Sequence, residues 1–139
     1  MVVALTAPVL ASLSLLLAAP AAFAQPATAA TPSMTATYSQ QTLLKNWALS
    51  VCLAHVADGA GAIAVRDDAN ATASAYLEFG RQPLADYEAL AALAKRYAQR
   101  RYSGSIDAQF NTMKCIDLFH SAELERFVRA AVRATPPAR

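Results

Sequence analysis

The sequence has few of the residue types that most often carry chemistry. Its 139 residues include two cysteines, two histidines and four glycines, and its net charge is only +2. The sequence contains no glycine-rich phosphate loop, no carboxylate pair within a known motif and no Ser-His-Asp arrangement. Their absence argues against the common classes of nucleotide-binding protein and hydrolase. The small net charge argues against a nucleic-acid partner. We therefore expect a binding protein without a cofactor rather than an enzyme.

The first 24 residues also lack charge, and they are rich in leucine and alanine. They end in Ala22-Phe23-Ala24, the small-x-small pattern that precedes signal peptidase cleavage. A membrane anchor is the alternative, but the apolar core from Val9 to Ala19 is short for a hydrocarbon layer of about 30 Å. We predict a signal peptide over residues 1–24 with cleavage after Ala24. The mature protein would then be exported and would not stay on the membrane.

The rest of the chain divides into three parts by composition. Residues 25–37 are rich in Pro, Thr, Ala and Ser without helical periodicity, which predicts a flexible leader. Residues 38–133 carry the helical patterns and form the predicted domain, and residues 134–139 form a C-terminal tail. No internal repeat is visible.

The domain lacks convincing strand alternation and is predicted to be all-α, a small bundle of four or five helices. Ser39 is a plausible N-cap for the first helix, and Gly59 and Gly61 follow its apolar pattern. Ser121 can cap the fifth helix. The pattern places three further helices at about residues 67–80, 83–102 and 107–120.

The two cysteines, Cys52 and Cys115, fall on apolar faces of the first and fourth predicted helices. In an exported chain with an even cysteine count, a disulfide between them is the expected outcome. Two alternatives involve His55 and His120: a tetrahedral zinc site made of both cysteines and both histidines, or a histidine-activated cysteine nucleophile. The spacing of Cys115 and His120 suits a helical metal site poorly, and catalytic cysteines favour more polar settings than that of Cys52.

Three blocks of the domain resemble the type VI secretion amidase immunity protein family. They are LLKNWALSVCLA (43–54), ASAYLEFG (73–80) and YSGSIDAQFNTMKCIDLFHSAEL (102–124). The resemblance implies a periplasmic, helical and often dimeric protein. Such a protein binds a peptidoglycan amidase that neighbouring bacteria inject, and it places a loop in the cysteine–histidine cleft of that toxin. The expected partners are therefore a cognate amidase effector and a second copy of the chain.

The segment Tyr102-Ser103-Gly104-Ser105 is the candidate toxin-binding loop. It offers an aromatic anchor, two short hydroxyl side chains and a backbone that can approach closely at Gly104. The alternative is an ordinary interhelical turn with Tyr102 packed inward. Glu78 is a possible secondary contact, although a surface salt bridge would explain it equally well. A small periplasmic module that binds another ligand, including zinc, remains the alternative function.

Overall fold

The computed structural model describes residue 31 and residues 33–135. The predicted signal peptide, its cleavage site and the last four residues of the predicted tail lie outside this part of the chain. The described residues contain five α-helices, a short 3₁₀ turn at Thr35–Thr37 and no strand. The prediction of a small all-α bundle is therefore confirmed.

The helices follow one another along the chain with connections of very different length. Their bounds are Gln40–Gly59 (α1), Ile63–Glu78 (α2), Leu84–Ala98 (α3), Asn111–Phe119 (α4) and Ala122–Ala134 (α5). The longest connection, residues 99–110, joins α3 to α4. Among the described residues, no helix is both long enough and apolar enough to cross a bilayer.

Two serine caps fix the beginnings of α1 and α5, as the sequence predicts. The Thr42 amide donates to Ser39 Oγ at 3.1 Å, and the Leu124 amide donates to Ser121 Oγ at the same distance. Each bond satisfies an amide that a helix start would otherwise leave unpaired. At the other end of α1, Gly61 takes a φ of +70°, a conformation that favours glycine and turns the chain towards α2.

Helix α1 lies at the centre of the bundle and packs against each of the other four helices. Its buried side chains, including Leu44, Ala48 and Cys52, meet those of α3, α4 and α5. The partners on these three helices are Tyr87, Leu90, Leu93, Ala94 and Tyr97 on α3, Cys115 and Leu118 on α4, and Leu124, Val128 and Ala131 on α5. Helix α2 packs principally on α1 and buries only two alanines, Ala69 and Ala73.

Some helix limits and faces differ from the prediction. Helix α2 begins at Ile63, four residues earlier than predicted, although no side chain caps it. Helix α4 begins at Asn111 rather than near residue 107, because Phe110 takes a left-handed conformation with φ of 50° and interrupts the helix. Helical spacing also places Leu84 on the buried stripe of α3 and His55 on the apolar side of α1. Both side chains are nevertheless exposed, and Leu84 is the first residue of its helix.

Candidate functional site: the loop between α3 and α4

The predicted loop residues lie together on the surface, within the connection between α3 and α4. Ser103, Gly104 and Ser105 are exposed, while Tyr102 is half-buried. Because α3 and α4 belong to the disulfide-linked core, both ends of this connection start from rigid elements. The loop is therefore an exposed segment on a firm base, which is the geometry that a recognition loop requires.

The aromatic residue of the loop is held by its own chain. Tyr102 Oη donates a hydrogen bond to Asp117 Oδ2, on the following helix, at 2.6 Å. This bond, together with a smaller effect of burial, raises the pKa of Tyr102 above its ordinary value. The Tyr102 hydroxyl thus lies next to α4 and is occupied by an acceptor within the protein.

The Tyr102–Asp117 hydrogen bond gives Tyr102 a structural role within the protein. The bond fixes the beginning of the loop relative to α4. Asp117 was not among the predicted site residues, because fifteen positions of sequence separate it from Tyr102 and no motif connects the two.

Gly104 allows a close approach within the loop itself. A Cβ atom at this position would lie 3.3 Å from Cζ of the Phe110 ring, tighter than an ordinary van der Waals contact. Phe110 is the same residue whose left-handed backbone begins α4. The loop therefore folds back so that its tip rests on the ring at its end. The closeness of the Phe110 ring therefore explains the absence of a side chain at Gly104.

Apolar side chains border the loop, one in the α3–α4 connection and two on the outer face of α4. Ile106 is 68% exposed, Met113 47% and Ile116 49%. The loop, Phe110, Met113 and Asp117 together line an open groove of about 570 Å³. Apolar anchors of this kind are typical of protein-binding surfaces. The sequence contained a usable signal for them, since Met113 and Ile116 fall on the opposite side of α4 from Cys115 and Leu118.

The disulfide connects this site to the core. Cys52 Sγ and Cys115 Sγ are bonded, and both residues are completely buried. The predicted disulfide is thus confirmed, and neither sulfur is available as a zinc ligand or as a nucleophile. His55 and His120 are both exposed. Cys115 lies two residues before Asp117, so the staple fixes the helix that holds Tyr102.

Glu78 lies apart from this assembly along the chain. It is the exposed last residue of α2, which packs principally on α1, whereas the loop joins α3 to α4. The ion pairs found within residues 33–135 do not include Glu78. Its predicted contact with a partner stays a prediction.

Comparison with known proteins gives a consistent result. The sequence profile of the family described as "Type VI secretion system (T6SS), amidase immunity protein", Tai4, matches residues 42–128. A chain in the structure of the effector–immunity system Tae4/Tai4 from Salmonella typhimurium is 48% identical, with a TM-score of 0.64. The match covers 71% of this chain and 95% of that one. No curated protein sequence matches the chain significantly.

More distant structures share the fold. A chain of the Tae4–Tai4 effector–immunity complex from Enterobacter cloacae is 23% identical, with a TM-score of 0.60 over 71% of this chain and 97% of that one. The geometry described above defines a small helical protein, stapled by one disulfide, that presents a braced loop. The family profile and the Salmonella match identify it further: the chain belongs to the type VI secretion system amidase immunity protein family.

Proposed function

We propose that this protein binds a type VI secreted peptidoglycan amidase in the periplasm and blocks its active-site cleft with the loop Tyr102–Ser105. The chemistry of the peptide bond then belongs to the partner, and this chain supplies only occlusion. Membership of the immunity family carries the proposal. Structures of related complexes, described as pairs of the effector Tae4 with the immunity protein Tai4, support the choice of partner.

The loop is suited to this role because its conformation is set before binding. The Tyr102–Asp117 bond holds one end, and the tip passes close to the Phe110 ring, where Gly104 leaves the necessary room. A loop that is already ordered loses less conformational entropy when it enters a cleft, so more of the contact energy appears as affinity. The exposed side chains of Ile106, Met113 and Ile116 would then cover the rim of the cleft.

Two parts of the proposal concern the state of the protein in the cell. We propose that residues 1–24 are removed on export. Intact-mass measurement of periplasmic protein should therefore find Gln25 at the N-terminus. Homodimer formation is proposed from the family resemblance, and sedimentation of the purified protein measures it. Retention of Met1 in a membrane fraction, or a monomer at micromolar concentration, would contradict the corresponding part.

The alternative of a zinc-binding module loses its main donors, because the disulfide occupies both sulfurs. Within residues 33–135, no cluster of three or more His, Cys, Asp or Glu side chains has the geometry of a metal site.

The test of the loop uses a bulky substitution at an exposed position. Ser105 is exposed and makes no side-chain hydrogen bond among the described residues. Ser105→Trp should therefore leave the melting temperature unchanged while reducing inhibition of the cognate amidase by at least about tenfold, or about 1.4 kcal/mol. Gly104→Trp is less suitable, because the new side chain would collide with Phe110.

Ala71→Trp is the matched control, since Ala71 is an exposed residue of α2. Glu78→Ala tests the secondary contact in the same assay. If Ser105→Trp inhibits as well as wild type, the loop does not fill the cleft. If wild-type protein neither binds nor inhibits the amidase, the immunity proposal itself is wrong.

A further inference from the structure

A second polar crevice lies away from the loop, where three helix ends converge. The C-terminal ends of α1 and α3 form two of its sides, and the first turn of α4 forms the third. Its volume is about 580 Å³, within the range of small-molecule sites. The side chains that give it its chemistry are His55, Asp58, Lys95, Gln109, Asn111 and Lys114. None of the four residues of the candidate toxin-binding loop lines it.

Lys114 is the unusual member of this group. It is only 6% exposed, although it is a lysine. Its ammonium group donates to Asn111 Oδ1 at 2.9 Å. Within residues 33–135, no carboxylate lies within ion-pair distance of it. A lysine residue that is largely buried and lacks a counter-charge is unfavourable, so its surroundings favour a negative group in the crevice.

The remaining charges do not supply that negative group. Asp58 is the acidic residue of the crevice, and its carboxylate pairs with Arg66 at 3.2 Å. Lys95 adds a second ammonium group, from the last turn of α3. The C-terminal dipoles of α1 and α3 favour the two lysines, but each is equivalent to only about half a charge. The crevice therefore keeps an excess of positive charge.

The first turn of α4 adds hydrogen-bond donors. No side chain caps this helix, because its N-cap position is held by Phe110 in a left-handed conformation. Amides at the start of a helix favour anions. The side-chain amides of Gln109 and Asn111 add donors that can rotate to meet oxygen atoms.

From this combination we propose that the crevice binds a small carboxylate ligand, with Lys114 as its principal charge contact and Lys95 as a second. The two lysines belong to different helices, α3 and α4, so a dicarboxylate offers each of them a carboxylate of its own. The site is independent of amidase binding by the loop.

The experiment is a titration of the isolated protein with glutarate, followed by ¹H–¹⁵N NMR at constant ionic strength. Glutaramide, the neutral diamide of the same length, is the control ligand. Saturable shifts of the side-chain amides of Gln99, Gln109 and Asn111 are expected with glutarate and not with glutaramide. Lys114→Met should weaken binding by about tenfold or more, as expected for loss of a charged hydrogen bond.

Lys45→Met is the matched control, because Lys45 is a partly buried lysine that already pairs with Glu125 and lies outside the crevice. If Lys114→Met fails to fold, Lys95→Gln provides the test, since Lys95 is exposed and its replacement should weaken binding without unfolding the protein.

Three results would overturn the proposal. One is the absence of saturable shifts with glutarate, and another is equal binding by wild type and Lys114→Met. The third is a protein that binds no small carboxylate but whose Lys114→Met variant binds the amidase more weakly. In that case the crevice receives an acidic side chain of the partner instead.

Discussion

Removal of the Tyr102 hydroxyl should loosen the loop without removing any side chain that a partner could bury. Tyr102→Phe keeps the ring and deletes only the donor to Asp117. A hydrogen bond to a carboxylate contributes about 1.5–3 kcal/mol when it is protected from solvent. Asp117 is exposed and Tyr102 only half-buried, so water replaces much of the lost bond. The expected loss of stability is about 0.5–1 kcal/mol.

Tyr102→Phe should weaken binding to the amidase by about the same free energy as it lowers stability. A loop that is no longer held must be ordered by the amidase, so affinity should fall by about two- to fivefold. Asp117→Ala should have a similar effect, although Asp117 need not contact the partner. The double variant should be little worse than either single one, because both substitutions remove the same bond. Asp107→Ala is the control. Asp107 lies in the same connection between α3 and α4, and its carboxylate makes no hydrogen bond among the described residues.

The assay is a double-mutant cycle, with denaturant unfolding and titration against the cognate amidase measured on each variant. Additive effects of Tyr102→Phe and Asp117→Ala would refute the bracing role. A loss of 2 kcal/mol or more in binding for Tyr102→Phe alone would instead mean that the hydroxyl contacts the partner directly. The pKa gives an independent check. Because the bond raises the pKa of Tyr102, its contribution is complete below the unfolded value of about 10 and is lost as pH rises through the higher folded value.

Three further changes test the scaffold. Replacement of both Cys52 and Cys115 by alanine should lower the free energy of unfolding by about 4 kcal/mol in denaturant titrations, because the cysteines are 63 positions apart; a loss below about 1 kcal/mol would contradict the entropic argument. Ser121→Ala should cost about 1 kcal/mol by the same measurement, since it removes the cap of α5, and an unchanged midpoint would show that the cap is dispensable. Gly80→Ala should destabilise by about 1–3 kcal/mol, because the added Cβ would lie 1.8 Å from Tyr87 Oη. Tyr87→Phe in the same chain should restore part of that loss; no recovery would mean that the closeness of the added Cβ to Tyr87 Cζ, at 3.1 Å, and to the Leu77 carbonyl oxygen, at 3.2 Å, dominates.

The elements with strong local signals were predictable from sequence. Helices α1 and α5 follow from the capping serines Ser39 and Ser121, which the structure shows accepting the expected backbone bonds. The disulfide followed from two cysteines on apolar faces in a chain that the sequence predicts to be exported. In each case the signal lies within a few residues or depends on residue count and compartment, and no tertiary information is needed.

The site was only partly predictable, because its geometry depends on contacts between distant residues. The start of α4 was placed too early because periodicity does not reveal the left-handed conformation of Phe110. The hydrogen bond between Asp117 and Tyr102 depends in turn on the direction that the chain takes at Phe110. Lys114 looked like an ordinary helix residue, since its burial results from the convergence of three helix ends. Local pattern contains no information about such convergence.

The position of the disulfide also determines what a protease can do to this protein. The covalent ring closed by Cys52 and Cys115 contains α2, α3 and the whole exposed connection between α3 and α4. A single cut at the exposed residues 103–109 therefore yields two polypeptides that stay joined through the sulfur atoms. The fragments keep a high effective concentration for one another. The most accessible segment of the chain can thus be cleaved without the separation of α1 from α4.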